Sequence, residues 1–414
     1  MEVHVTDEVW TTPCFHKDEL RLHVHGLTAM HILREHFTCL RKSYWARAVK
    51  QRTATGMLTL AVRGALTVPP ILGSLSEDKS MRKTFQLSSF SLKEFPLGSK
   101  SEVWIHLGEL PAGEEVRWPV LVVRGRHSGK VLLATAGTHG DEYEGIVAIH
   151  QFYGQLNSNE LTGTFLGIPM LSPPAVSGGT RDGLWDNRNL SRVFPGDPKG
   201  LFTDRIAHAF ATHILPLADL FIDFHAAGTG INIRPFIGSY IGDSQAVEAQ
   251  RKAVIAFGHD VIWNTGYVPG RTMGAGYEAG VPCMYTEAQG NRLCNPEEVQ
   301  GYVSGLKNLA RFLGNLPGEY PTRPPRFYHE THSGAAGHVQ EQHRAQHGGM
   351  FLPSVGLWDR VQAGQLLGRV HDPFGDTLEE IRAEDSGRVI CLRVCPRVLP
   401  GEFTAVIVPF QENP

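Results

Sequence analysis

The chain has 414 residues, with 39 Lys+Arg against 42 Asp+Glu, giving a formal charge of −3 with histidine neutral. It lacks the basic excess that gripping a phosphate backbone requires, and with 42% hydrophobic and 20% charged residues it can bury a large core and is not a disordered chain. At roughly 100–200 residues per domain, two or three domains are expected.

Residues 1–80 are compositionally odd and are read as an N-terminal extension, poorly ordered or upstream of a natural start at Met57 or Met81. Six of the 20 histidines fall in the first 36 residues, and seven basic residues between Arg34 and Arg63 face one acidic residue, Glu35. An arginine-rich amphipathic helix there would suit a membrane surface or targeting, but Glu2, Asp7, Glu8, Asp18 and Glu19 argue against a transit peptide. No apolar run approaches the ~18–20 residues of a membrane span. The six cysteines form no CxxC pair and no short even spacing, so a reducing, cytoplasmic setting is expected. Cys391 and Cys395, four apart in a strand-like stretch, should share a face and serve packing.

From Met81 onward, apolar runs alternate with turn residues. Residues 103–107, 120–124 and 130–136 predict strands separated by Pro-Ala-Gly and His-Ser-Gly-Lys turns. Residues 143–156 predict a helix, 164–171 a buried strand, 207–215 a helix and 218–225 another buried strand. Such alternation implies an α/β sheet with helices on both faces and ligand sites beyond the strand ends. The Pro-rich stretch 317–325 reads as a linker, dividing a domain of residues 81–320 from one of residues 321–414. The latter holds short strands at 349–352, 365–370, 387–394 and 404–409, which predict an all-β domain of the barrel-sandwich type. A lipoyl or biotinyl carrier role is excluded, because the last lysine is Lys307.

The segment Ala136-Gly137-Thr138-His139-Gly140-Asp141-Glu142 follows a strand and opens a helix, so His139 and Glu142 can converge on one point. Imidazole nitrogen and carboxylate oxygen are natural zinc ligands, and a catalytic zinc takes three protein ligands plus water. The same pattern also fits a plain turn in which Asp141 or Glu142 caps the helix. His225 closes the second buried run, with Asp223 two residues earlier on the same face, placed to orient a ligating imidazole. Residues 186–196 put Arg188, Asn189 and Arg192 into a turn-rich stretch suited to gripping a carboxylate. Residues 281–287 form an apolar strand ending in Glu287, where a carboxylate can act as general base and then acid. Taken singly, each of these also reads as a rim or surface ion-pairing residue.

As an ordered set, these motifs resemble the succinylglutamate desuccinylase/aspartoacylase family of zinc hydrolases over roughly residues 93–409. The resemblance implies a three-layer α/β fold of the zinc-carboxypeptidase type, with a mixed sheet and a C-terminal all-β domain. It implies one Zn2+ per chain on His139, Glu142 and His225, Glu287 as the catalytic carboxylate, and Arg192 as the arginine for a substrate carboxylate; Arg188 and Asn189, from the composition of the same stretch, are read as further substrate-binding residues. The expected activity is hydrolysis of the amide of an N-acyl amino acid or related small acylated amine. A carboxypeptidase-like exopeptidase and a catalytically silent binding protein are the alternatives. The expected partner is the small acylated substrate, with no nucleic acid and no membrane; a homo-oligomer stays open, as does the metal, since these ligands accept other divalent ions.

Two departures stand out. Ser191 occupies the place of a family asparagine, and Leu184 the place of an aspartoacylase arginine eight residues before Arg192, the nearest candidate being Arg181. Dicarboxylate specificity is therefore not carried over, and THGDEYEG with NLxRVFPG looks closer to deacylases of N-acetylated diamino acids. The histidines His329, His332, His338, His343 and His347 are read as a solvated junction rather than a second metal site, with His347 nearest the family pattern.

Overall fold

The computed structural model describes residues 82–332 and 342–413, together with four strands of a separate unit, Met1–Lys79. Those strands, β1 (Glu2–Val5), β2 (Leu20–Val24), β3 (Arg47–Arg52) and β4 (Leu58–Arg63), form a sheet of order β1-β2-β4-β3. Two of them fall in the arginine-rich stretch for which a helix was one reading. The rest of that extension, and His338, lie outside the described residues.

Ser80–Pro414 is the second unit. It begins with β5 (Thr84–Gln86), β6 (Ser99–Glu109), β7 (Glu115–Arg124), β8 (His127–Thr135), α1 (Glu144–Gln155) and β9 (Thr162–Ile168). After α2 (Pro173–Gly178) and α3 (Phe202–Ala209) come β10 (Leu220–Ala226), β11 (Ile231–Ile233), β12 (Phe236–Gly238), α4 (Gln245–Phe257) and β13 (Val261–Thr265). Then follow α5 (Thr272–Glu278), β14 (Cys283–Ala288) and α6 (Pro296–Phe312). The remainder is strands: β15 (Phe327–Thr331), β16 (Gly349–Pro353), β17 (Arg360–Val361), β18 (Leu366–His371), β19 (Thr377–Arg382), β20 (Gly387–Arg393), β21 (Arg397–Val398), β22 (Ala405–Val408) and β23 (Gln411–Glu412).

Eleven strands make one mixed sheet of order β23-β15-β13-β12-β14-β10-β8-β9-β7-β6-β5. Its centre, β14-β10-β8-β9, is parallel. Parallel strands covered on both faces need apolar side chains in both directions, and every residue of β10 is buried. Leu220, Ile222 and Phe224 pack on one face against α1, α4 and α6 through Ile149, Phe257 and Tyr302. Phe221 points to the other face, against Phe210 and the α3 side. Because side chains alternate along a strand, Asp223 and His225 share the face of Phe221.

The predicted strands 103–107, 120–124 and 218–225 lie within or across β6, β7 and β10, and the predicted helix 143–156 coincides with α1. The His-Ser-Gly-Lys segment is no turn; it opens β8, with an irregular register against β9 between His127 and Val131. Cys391 and Cys395 do not share a face, since β20 ends at Arg393, leaving Cys391 buried and Cys395 exposed.

The C-terminal strands build two four-stranded sheets, β19-β18-β16-β21 and β11-β20-β17 with β22 on β20. They enclose a cluster of their own, including Phe351, Leu367, Val370 and Val389. Ile390, Val406 and Val408 instead join the core below the large sheet, and β11 pairs with β20. No described helix is long and apolar enough to cross a membrane.

Helix α1 sits so close to β10 that a Cβ at Gly145 would lie 2.3 Å from Phe224 Cβ, while one at Gly154 in the same helix meets nothing within 4 Å. Gly145→Ala should therefore cost about 1–3 kcal/mol through overpacking, whereas Gly154→Ala should be neutral or stabilise by up to about 1 kcal/mol. Denaturant midpoints of the two variants check this contrast.

Candidate active site

The candidate site lies where β8, β10 and β14 end. The loop from β8 to α1 carries His139 and Glu142 ahead of the helix, which starts at Glu144. That loop runs hard against α2: a Cβ at Gly140 would lie 1.8 Å from the Ala175 carbonyl oxygen. Asp141 is no helix cap; its Oδ2 accepts from Thr229 N at 2.9 Å and Thr229 Oγ1 at 2.7 Å, tying the loop to the segment after β10.

His139, Glu142 and His225 are all buried, with one ligand atom from each within 4.8 Å of the others. His139 Nδ1 lies 2.7 Å from Glu142 Oε1, and His225 Nδ1 lies 3.0 Å from Glu142 Oε2. The far ring nitrogens are engaged elsewhere: His225 Nε2 with Asp223 Oδ2 at 2.9 Å, and His139 Nε2 with Ser191 Oγ at 2.9 Å. Hydrogen-bond partners at Nε2 leave both Nδ1 atoms turned to a carboxylate, and an imidazole lone pair facing a carboxylate oxygen needs a proton or a cation between them. Two imidazoles and one carboxylate with oriented outer nitrogens are a donor set that fits a divalent ion such as zinc.

The electrostatics set the two imidazoles apart. Burial would lower His225, but Asp223 and Glu142 on either side hold it well above its ordinary value. Burial lowers His139, helped by Arg181, which favours the neutral ligand form. Burial alone would raise Glu142, yet His139 and His225 hold it below the carboxylate range. Asp223 is fixed by three hydroxyls as well as by His225: Thr135 Oγ1 at 2.6 Å, Thr138 Oγ1 at 3.2 Å and Thr272 Oγ1 at 2.5 Å.

Glu287 stands opposite His225 in the parallel pairing of β10 with β14. Its Oε2 is buried without a hydrogen-bond partner. Burial, with the negative Glu142 nearby, pushes its carboxyl up to about 8. A cavity of about 50 Å³ is lined by His139, His225, Glu287, Arg181, Arg192 and Arg271, among others. Burial pulls Arg192 down to about 10, with Arg271 and Arg181 adding repulsion.

Asn189 reaches the site through Oδ1, 3.2 Å from His139 Nε2. Arg188 does not: it does not line the cavity, and its Nη1 is committed to Asp204 Oδ2 at 2.7 Å. Arg181, out of step in sequence, donates to Glu142 Oε1 at 3.2 Å and lines the cavity. Arg271, Thr272 and Met273, at the start of α5, were not singled out from the sequence; a lone arginine after a Pro-Gly turn was their only mark. Of the junction histidines, His343 is buried between the Ala405 carbonyl and Glu384 N, and His347 lies beside Glu379. Among the described residues the only metal-competent cluster is His139, Glu142 and His225.

Residues 128–313 match the succinylglutamate desuccinylase/aspartoacylase catalytic domain. The chain is 32% identical over 303 residues to the N-alpha-acetyl-L-2,4-diaminobutyric acid deacetylase of Halomonas elongata, spanning 71% of this chain and 86% of that protein. Its fold is similar to a succinylglutamate desuccinylase from Silicibacter sp. TM1040, with TM-score 0.69 and 28% identity, covering 77% of this chain and 97% of that one. It is also similar to the product-bound ectoine utilization protein EutE (DoeB) of Ruegeria pomeroyi, with TM-score 0.68 and 27% identity over 76% of this chain and 97% of that one. The chain belongs to the succinylglutamate desuccinylase/aspartoacylase family.

Calorimetric titration of the purified, chelator-treated chain with Zn2+ should show one ion bound. His225→Ala should abolish that binding, and Asp223→Asn, which keeps the shape but weakens the hold on His225 Nε2, should reduce affinity about 10–100-fold.

Proposed function

We propose that the chain is a zinc-dependent amidohydrolase that removes the acyl group from an N-acylated amino acid or related small acylated amine. The observation that carries this is Glu287: a buried, unpartnered carboxylate oxygen in register with His225, facing a small cavity that three arginines share. A buried acceptor without a partner is costly unless something else fills its place, and water or the scissile amide of a substrate does so here. In this reading residues 81–320 are the catalytic domain and 321–414 the C-terminal β domain, which also lends β15 and β23 to the large sheet.

A divalent ion held by His139, Glu142 and His225 would polarise the scissile carbonyl and make water a better nucleophile. In its ionised form, which a cation on His139, Glu142 and His225 would favour, Glu287 takes the proton from the attacking water and passes it to the nitrogen of the departing amine, so the C–O bond forms, the C–N bond breaks and the carboxylate is regenerated. Arg192 holds the carboxylate of the amino acid, with the Arg271 guanidinium on the same cavity; fixing that end aligns the amide with Glu287. The Phe236 and Tyr285 rings close the wall of the cavity. The Halomonas relative points to an acetylated diamino acid as the first substrate to test.

Hydrolysis of Nα-acetyl-L-2,4-diaminobutyrate should be measured beside acetyl and succinyl derivatives of aspartate, glutamate and ornithine. Glu287→Gln should keep zinc and lose about 10²–10⁴-fold in kcat; a variant that keeps the wild-type rate rules Glu287 out as the base. Arg192→Ala should act mainly on KM, raising it about 10-fold or more through loss of a charge-assisted contact worth about 1.5–3 kcal/mol. No turnover of any acyl amino acid by the zinc-loaded wild type would favour a silent binding protein.

A further inference from the structure

The hydroxyl of Ser191 stands where the two halves of the site meet, and the reaction as described makes no use of it. Ser191 lies in the one-turn segment Leu190–Arg192 and is 4% exposed. A serine hydroxyl has one hydrogen to give and two lone pairs to receive, and here all three are occupied. Ser191 Oγ donates to Asn189 Oδ1 at 2.8 Å, receives Arg192 Nη1 at 3.2 Å and stands 2.9 Å from His139 Nε2. A carboxamide oxygen only accepts, so the single hydroxyl hydrogen belongs to Asn189. The guanidinium only donates. His139 Nε2 must therefore carry a proton, and Asn189 Oδ1, at 3.2 Å from the same nitrogen, gives that proton a second acceptor.

We propose that Ser191 is a positioning residue: its hydroxyl selects the Nε2–H form of His139, leaving Nδ1 for a cation, and anchors the Arg192 guanidinium at a set distance from that ring. The inference rests on the metal-site reading of His139. Arg192 Nη1 also donates to the Ser191 backbone carbonyl at 2.9 Å, a bond that no side-chain substitution removes. Loss of the hydroxyl therefore falls more heavily on His139, and so on metal affinity, than on Arg192. This places a role on the position where the chain departs from the family's asparagine.

The experiment is zinc competition against a chromogenic chelator with the full chain and no substrate, with KM for an acyl amino acid measured separately at saturating zinc. Ser191→Ala should weaken zinc binding about 10–100-fold, with KM changed by less than that factor, and Ser191→Thr, which restores the hydroxyl, should return zinc affinity to within about threefold of wild type. Zinc affinity of Ser191→Ala within about twofold of wild type overturns the proposal, and so does a threonine variant as weak as the alanine one. A wild type that takes up no zinc overturns this proposal and the metal reading together, whereas a zinc-binding wild type with an indifferent Ser191→Ala overturns this one alone. Should Ser191→Ala not fold, long-range ¹H–¹⁵N spectra of the metal-free, histidine-labelled wild type decide: a proton on His139 Nε2 supports the assignment, and a bare Nε2 overturns it.

Discussion

The carboxylate of Glu142 is wedged between two imidazole nitrogens and is almost sealed from solvent, and much of the surrounding architecture holds that contact. Buried charge survives only when it is paired and hydrogen-bonded. Glu142 meets this condition with His139 and His225 on its two oxygens, the backbone N–H of Ala226 at 3.0 Å and the Arg181 guanidinium. Each imidazole is in turn steadied from behind, His225 by Asp223 and His139 by Ser191. Asp223 is surrounded by hydroxyls from the end of β8, the following loop and the start of α5. From the opposite face, Tyr302 on α6 donates to the backbone oxygen of His225 at 2.8 Å.

This arrangement ties the metal-competent cluster to the arginines that line the cavity. Thr272, which holds Asp223, is the chain neighbour of Arg271, which lines the cavity. Ser191, which holds His139, is the neighbour of Arg192. The groups that would grip a carboxylate and those that orient the imidazoles are therefore carried on the same short segments, one at the start of α5 and one at residues 190–192. A displacement of either segment moves both functions together, and this is how a compact site keeps its reacting groups in register.

Much of this was legible in the sequence wherever a buried strand ends in a polar residue. The run that becomes β10 is apolar on both faces because helices cover both, so a polar Asp223 and His225 inside it called for a purpose. The same reasoning held for Glu287 at the end of β14. What the sequence concealed depends on tertiary approach. Arg271 has no periodicity to mark it, and only the packing of α5 beside β10 brings it to the cavity. Arg188 and Arg192 look equivalent four residues apart, yet Asp204, sixteen residues from Arg188, claims the former. The His-Ser-Gly-Lys segment has turn composition but continues as strand because β9 pairs with it. Helices α4 and α6 have starts marked in the sequence, Ser244 accepting from Val247 N and Asn295 accepting from Glu297 N ahead of Pro296.

In the proposed function His139 and His225 present Nδ1, with Glu142, to one divalent ion beside an unbound Glu287. Anomalous X-ray diffraction at the zinc edge from zinc-soaked crystals tests it most directly. The expected result is a single strong peak within about 2.0–2.2 Å of both Nδ1 atoms and a Glu142 oxygen, with Glu287 not bound to the ion. A peak coordinated by Nε2, by the junction histidines or by Glu287 in place of Glu142 would contradict it, as would crystals that take up no zinc.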